Sequence, residues 1–542
     1  MKRVLVVIPA RGGSKGIPRK NLRLLGGRPL IYYTITNALN SSYVTDVYVS
    51  SEDDEILALS QRFGAKIHRR DPAIADDRTT LDPVIYDTYM YAQSIEGKVY
   101  DLIVTLQPTS PLLKTISLDS AISRMLENDR IDTIISVKDA THLSWRKENG
   151  RFIPNYKERL NRQYLTPTFT ETGGFLITTQ QNMHPHSRIG SYVDLFLLHG
   201  GEEIDIDTYE DWNLCEYYLK RKHILFVVTG NSVVGLGHVF NTLLLANDIL
   251  DHQVSFLVDK QSQLAYEKIA SKNYPVHQQQ AENIIDDILS FSPDVVINDI
   301  LDTSEAYIKA LVSREITVIN FEDLGEGSKY ADLVINAIYP EKEIIPHHYY
   351  GHQYFLLRDE FIYSEPKVNF DNVKNVLVSF GGVDPNNYTK KVLESIYTYC
   401  REKSITINVV AGFGYGKYDS LVMYPDVKIH QNISNISDFM SEADVVFTSA
   451  GRTIYEIASI GTPAIVMAQN ERELSHFFAS SEYGFLNMGL GYQLEHKEIL
   501  HAFEKLCIHQ ETREYMSKLM QRTDLKHGRK RVMQLIRAAI SQ

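Results

Sequence analysis

The sequence predicts an α/β protein of stacked βα units with mostly parallel sheets, divided into a first part and a second, two-lobed part. Three observations carry this reading. Short apolar, β-rich runs alternate with helical patterns almost throughout. The strand-then-glycine-turn arrangement that opens the chain recurs at two later positions. Hydrophobic residues make up 44% and charged residues 23%, the proportions of packed globular protein. At ~150 residues per domain, 542 residues correspond to about three to four domains.

The first strand is Val4–Ile8, an apolar run without alternation, as expected of a strand buried on both faces. Met1-Lys2-Arg3 before it imitates the basic start of a secretory leader, but the apolar stretch is too short and Arg11 follows at once. Val47–Ser50, Leu102–Leu106 and Thr133–Val137 are the next strands, with helices at Ile31–Leu39 and Asp54–Phe63. Tyr209–Lys222 reads as a charged amphipathic helix that closes the first domain, 1–222. A second start follows: strand His223–Thr229, a turn with Gly230, Gly235 and Gly237, and the helix Val239–Leu250. The third start is Val373–Phe380 with Gly381-Gly382, so the second part divides into lobes 223–370 and 371–542. Two similar α/β lobes leave a cleft between them for a ligand.

Acidic side chains outnumber basic ones by 68 to 56, a formal charge of −12, with no basic domain. That argues against a nucleic-acid partner. Cys215, Cys400 and Cys507 are far apart and form no CxxC, so neither structural zinc nor a disulfide framework is expected. No apolar run reaches the ~18 residues of a membrane span, and a cytoplasmic protein without membrane insertion is expected.

The first chemical constellation is Ile8-Pro-Ala-Arg-Gly-Gly-Ser-Lys-Gly-Ile-Pro-Arg-Lys-Asn21, directly after the first strand. Its glycines let backbone N–H groups approach an anion, and Arg11, Lys15, Arg19 and Lys20 add four positive charges. That combination suits a triphosphate, although no GxxxxGK[ST] occurs. The second is Glu203-Ile-Asp-Ile-Asp207; on a strand, Asp205 and Asp207 would share one face and could hold Mg²⁺. Other candidates are Gln107-Pro-Thr-Ser-Pro111, Arg70-Asp-Pro72 and Asp76-Asp-Arg-Thr-Thr80.

Residues 1–220 carrying these motifs resemble the acylneuraminate cytidylyltransferases, the CMP-sialic acid synthetase family. The resemblance implies a Rossmann-like nucleotidyltransferase domain. It would join a nonulosonic acid to CTP through attack of the anomeric 2-hydroxyl on the α-phosphorus, with loss of pyrophosphate. Arg11, Lys20 and Asp207 would then be catalytic, and Ser14 and Lys15 would serve the triphosphate. Asn21, Arg70, Thr80 and Gln107 would contact the nucleotide, and Asp205 and Asp207 would carry the metal. Thr172 and Gly173, within Glu171-Thr-Gly-Gly-Phe175, fall where relatives line the sugar site, but the sequence matches neither the sialic nor the pseudaminic acid pattern there. The stretch between Ala140 and Gln181 resembles the region through which relatives form homodimers.

In the second part, Gly235-Leu-Gly-His238 lies between strand and helix, a place where a histidine can act on a phosphate ester. Together with Val318–Leu324, Tyr330–Asn336, Ser379–Pro385 and Ser449–Glu456, it resembles the UDP-sugar hydrolase of pseudaminic acid biosynthesis, a GT-B-like fold. By that resemblance His238 is catalytic, Gly235, Gly237 and Gly451 serve the diphosphate of a UDP-sugar, Glu456 its ribose, and Asn470 lies at the same site. Three positions depart from the family: Asn241 stands where an arginine is usual, Arg452 where a small residue is usual, and Glu471 in place of glutamine. A glycosyltransferase or a non-catalytic nucleotide-sugar scaffold are the alternatives for this part. His184, His186, His347, His348 and His352 read as surface histidines, and Lys526–Arg531 as the solvated face of a terminal helix.

Overall fold

The computed structural model describes residues 2–14, 16–75, 79–231, 233–412, 414–431, 433 and 435–541. Lys15 and the Asp76-Asp77-Arg78 triplet lie outside them. The chain forms two compact units, Met1–Arg221 and Lys222–Gln542. Among the described residues no helix is long and apolar enough to cross a membrane.

The first unit is built on a seven-stranded sheet in the order Val193–Leu197, Thr133–Asp139, Phe169–Thr179, Leu102–Thr105, Val4–Pro9, Asp46–Ser51, Lys66–Arg69. Only Phe169–Thr179 runs antiparallel to its neighbours. Val4–Pro9 sits near the middle because it is apolar on both faces: Val4, Val6 and Ile8 enter one core cluster, Leu5 and Val7 another. Its register, Val7 beside Thr105 and Pro9 beside Ser50, delivers the cationic loop next to Gln107 and Glu52 at the C-terminal edge. That edge is where parallel α/β sheets hold ligands. A two-stranded arm, Trp145–Glu148 with Arg151–Pro154, leaves the sheet and exposes Trp145 and Phe152.

In the second unit, the first lobe has seven parallel strands in the order Val276–Gln278, Gln253–Val258, His223–Val228, Val295–Asp299, Thr317–Phe321, Leu333–Asn336, His348–Tyr350. Strand order reverses between His223–Val228 and Val295–Asp299, and the register sets Val228 beside Asp299. The turn carrying His238 therefore emerges next to Asp299. The second lobe has six parallel strands, with Asn375–Val378 beside Val445–Thr448, so the Ser379–Gly382 and Ser449–Gly451 turns leave the sheet together.

Three elements depart from the sequence reading. The terminal helix Gly528–Ser541 does not stay with residues 371–542: Val532, Met533, Ile536 and Ile540 complete the first lobe's core. Nor is Lys526–Arg531 a solvated face, because Arg529 is buried between Asp248 and Asp359. His352 is not a surface histidine either; its ring packs among Phe477, Phe478 and Tyr483.

Candidate active sites

In the first unit the cationic loop and the acidic segment, some 190 residues apart in sequence, meet. A Cβ on Gly16 would stand 2.6 Å from the Asp207 carbonyl oxygen, so only glycine lets the loop lie this close. Lys20 Nζ donates to the Ile206 carbonyl and lies 3.5 Å from an Asp207 carboxylate oxygen. Asn21 is buried, and its amide donates to the Arg11 carbonyl (2.9 Å), holding the loop's base. Arg11 is exposed at the loop's start, and Ser14 is half-buried.

Arg70 is 4% exposed, and its Nε and Nη2 both donate to Glu52, at 3.0 and 2.6 Å. Glu52 in turn accepts from the Gly12 N–H at 2.7 Å. Burial alone would raise the Glu52 carboxyl, but Arg70 and the Gly12 amide outweigh it and hold it below the usual range. The structure thus uses Arg70 to brace the loop through Glu52, a link that the sequence did not reveal.

Gln107, Thr172 and Gly173 line a small cavity of about 100 Å³, whereas Thr80 is exposed ahead of the helix Leu81–Glu96. The cavity also receives Arg188, which no sequence motif singles out. Arg188 is buried and donates to Asp82 and Thr105, at 2.5 and 2.6 Å. Thr172 is fixed by the Ser136 hydroxyl at 2.8 Å.

The acidic pair is arranged otherwise than expected. Residues 204–207 form no strand but an extended connection into the helix Tyr209–Lys220. Thr208 and Asp211 close a capping box there, and Asp211 also accepts from the Asp207 N–H, which turns the chain before a ladder can form. Asp207 points outward with its side chain 79% exposed, while Asp205 Oδ1 is enclosed without a hydrogen-bond partner among the described residues. The hydroxyls of Thr109 and Ser110 are likewise enclosed and, among the described residues, unpartnered; all three oxygens converge beside Gly173. Burial pushes the Asp205 carboxyl up; the Thr109 hydroxyl tempers this without closing a hydrogen bond, and the charge of Asp207 adds to it. An orphaned carboxylate oxygen among hydroxyls is a hard-oxygen set that fits a divalent cation. Among the described residues, no group of three or more His, Cys, Asp or Glu side chains converges as a metal site.

In the second unit a cavity of about 1400 Å³ lies between the lobes, lined by Gly235, Gly237, His238, Gly451, Glu456 and Asn470, among others. The first lobe supplies His238 from the first turn of the helix Gly237–Asp248. His238 Nδ1 meets Asp299 Oδ1 at 2.5 Å, and Asp299 is fully buried. The Asn241 amide donates to the other oxygen of Asp299 (2.7 Å) and accepts from Arg452 Nη2 of the second lobe (2.6 Å). A Cβ on Gly237 would lie 3.1 Å from Arg452 Cδ, so this glycine makes room for the arginine that crosses the cleft. Arg452 also lies over the Phe355 ring, 4.9 Å from its centre. Two of the three departures from the family, Asn241 and Arg452, are therefore direct partners.

Three further groups, not selected from the sequence, face the cavity. Glu322 is buried, 3.6 Å from Arg452; burial pushes its carboxyl up to about 7, against the pull of that guanidinium. Burial likewise lifts Glu473 to about 7, although its Oε2 accepts from the Ala450 and Gln469 N–H groups. His476 Nδ1 donates to the Ala450 carbonyl at 2.7 Å, and burial pushes the imidazole down to about 4. Glu456, expected to be available to a ribose, is instead paired with Arg358 at 2.7 Å. Asn470 caps the turn Glu471–Leu474 by accepting from the Glu473 N–H.

A family model described as cytidylyltransferase matches residues 5–150. The pseudaminic acid cytidylyltransferase of Campylobacter jejuni is 32% identical over 234 residues, 40% of this chain and 97% of that protein. The chain belongs to the cytidylyltransferase family. A Helicobacter pylori protein described as a pseudaminic acid cytidylyltransferase and UDP-2,4-diacetamido-2,4,6-trideoxy-beta-L-altropyranose hydrolase is 24% identical over 526 residues, 93% of this chain and 95% of that one. An uncharacterized protein of Methanocaldococcus jannaschii is 32% identical over 272 residues, and the chain spans only 56% of that relative's length.

Proposed function

We propose that the chain is a bifunctional cytoplasmic enzyme of sugar activation. The first unit transfers CMP from CTP to the anomeric 2-hydroxyl of a nonulosonic acid and releases pyrophosphate. The second hydrolyses a UDP-aminosugar. The observation that carries the first assignment is the meeting of the Arg11–Asn21 loop with the Ile206-Asp207 segment at the sheet's C-terminal edge. Arg11, Ser14, Lys15 and Lys20 would hold the triphosphate, with positive charge aimed at the oxygens where negative charge develops. Asn21 and Arg70 keep that loop in place, the latter through Glu52. Gln107 and Thr80 would contact the nucleotide, and Thr172 and Gly173, with Arg188 behind them, the acidic sugar. Asp205 and Asp207 would hold Mg²⁺, which supplies charge neutralisation at the phosphoryl oxygens when bound.

In the second unit His238 would take a proton from the water whose oxygen adds to the anomeric carbon. The bond between sugar and UDP breaks, and UDP keeps the bonding pair. Gly235, Gly237 and Gly451 would face the diphosphate, Glu456 and Asn470 the nucleoside end. The near full-length likeness to the Helicobacter pylori protein supports this pairing of activities. The exposed Trp145 and Phe152 of the arm support a homodimer formed through the first unit. A panel of nonulosonic acids with CTP and Mg²⁺, read by pyrophosphate release, tests the first activity; no release with any member overturns it. Candidate UDP-aminosugars, read by UDP and UMP release, test the second. Release that is the same in wild type and His238→Ala would overturn the hydrolase reading and leave a binding module.

A further inference from the structure

The geometry points to a directional hydrogen-bond chain, Arg452 to Asn241 to Asp299, that locks His238 in one tautomer with Nε2 free to accept a proton from the cavity; Asp299 is the positioning residue. The role of His238 as base rests on the hydrolase reading, but the lock itself does not. A carboxylate only accepts hydrogen bonds, so the group that Asp299 Oδ1 meets at His238 Nδ1 must be N–H. The neutral ring then carries its lone pair on Nε2.

Asn241 fixes the direction of the rest. Its Nδ2 faces Asp299 Oδ2, and its Oδ1 is engaged by Arg452 Nη2. Arg452 can only donate, so the amide cannot turn over without setting N–H against N–H. Asn241 is 2% exposed and Asp299 fully buried, so water is not at hand to relieve a reversed arrangement. The lock spans the cleft: Arg452 comes from the second lobe, the other three residues from the first. The proton position at His238 is thus set by the lobe that does not carry it.

The arrangement makes an unusual prediction about the isosteric variant Asp299→Asn. Because Asn241 can only donate at this point, the Asn side-chain oxygen must face it. The new NH₂ group then faces His238 Nδ1, turns it into an acceptor and moves the ring proton to Nε2. Releasing Asn241 should undo this. In Asp299→Asn/Arg452→Leu the Asn241 amide is free to turn and present its oxygen, the second amide can turn with it, and Nδ1–H becomes accessible again beside Nε2–H.

The test is long-range ¹H–¹⁵N spectroscopy of the full chain labelled at its histidines, with His238 assigned by its loss in His238→Gln. The parent and Arg452→Leu should show Nδ1–H, Asp299→Asn should show Nε2–H, and the double variant should regain a population of Nδ1–H. Asp299→Asn/Asn241→Ala reaches the same end by a second route. The lock is refuted if Asp299→Asn keeps Nδ1–H, or if both double variants keep the tautomer of the single one. With an active UDP-aminosugar, kcat of Asp299→Asn should fall roughly 10⁴-fold with KM near the parent value, the effect of a wrongly held tautomer. If the parent hydrolyses nothing, the hydrolase reading fails while the spectra still decide the lock.

Discussion

Replacing Glu473 by Gln should stabilise the second unit at pH 8 and leave it unchanged near pH 4.5. Both backbone donors, Ala450 N–H and Gln469 N–H, go to the single oxygen Oε2, so a glutamine can place its carbonyl oxygen there and keep both bonds without a charge. Burial lifts the carboxyl from its ordinary 4.5 to about 7. Its folded-state value is raised, so the folded protein binds the proton more tightly than the unfolded chain does. The resulting stability is fully present below pH 4.5 and is lost as pH rises through 7. Above pH 7 the ionised form then costs about 3 kcal/mol. Removing that cost should raise the midpoint of thermal unfolding by several degrees at pH 8. Melting of the full chain and of Glu473→Gln, compared at pH 4.5 and pH 8, reads this directly. An equal shift at both pH values, or destabilisation at pH 8, would refute the argument that the charge is what the buried site resists.

Asp205→Asn removes the enclosed carboxylate while keeping its shape, so pyrophosphate release at limiting Mg²⁺ should fall by two orders of magnitude or more with the melting point retained; near-normal turnover removes Asp205 from the metal set. Lys20→Ala should cost roughly 3–4 kcal/mol of transition-state stabilisation, seen as a fall in kcat/KM for CTP. A change of only a few-fold would reduce Lys20 to a loop tether on Ile206. Arg529→Leu leaves Asp248 and Asp359 unpaired where the terminal helix returns to the first lobe. It should cost about 3 kcal/mol, at the low end for broken buried pairs because Asp359 is mostly solvated; the urea midpoint of the full chain checks it.

Much of the framework was legible in the residues themselves. Val4–Ile8, Leu102–Leu106 and His223–Thr229 are apolar on both faces, and only a strand covered on both sides can bury such a run. The cationic loop could be read because glycine freedom and positive charge are both local properties of residues 11–21. Local patterning also puts Asp205 and Asp207 on a strand, because their alternation suits one, but the capping box of Thr208 and Asp211 begins a helix immediately afterwards.

What tertiary structure decided is how distant residues pair. His238 and Asp299 are 61 positions apart and meet because strand order reverses between the strands that carry them. Asn241 and Arg452 are 211 apart, and each looked like a separate departure until the lobes brought them together. Arg529 looks solvated because charge in a sequence predicts exposure, and only the return of the last helix to the first lobe buries it against two carboxylates. Glu322 and Glu473 carry no mark in the sequence, since a carboxyl's proton affinity is set by the depth at which folding leaves it. Periodicity records which face of an element is buried, while strand order and register determine what that face will meet.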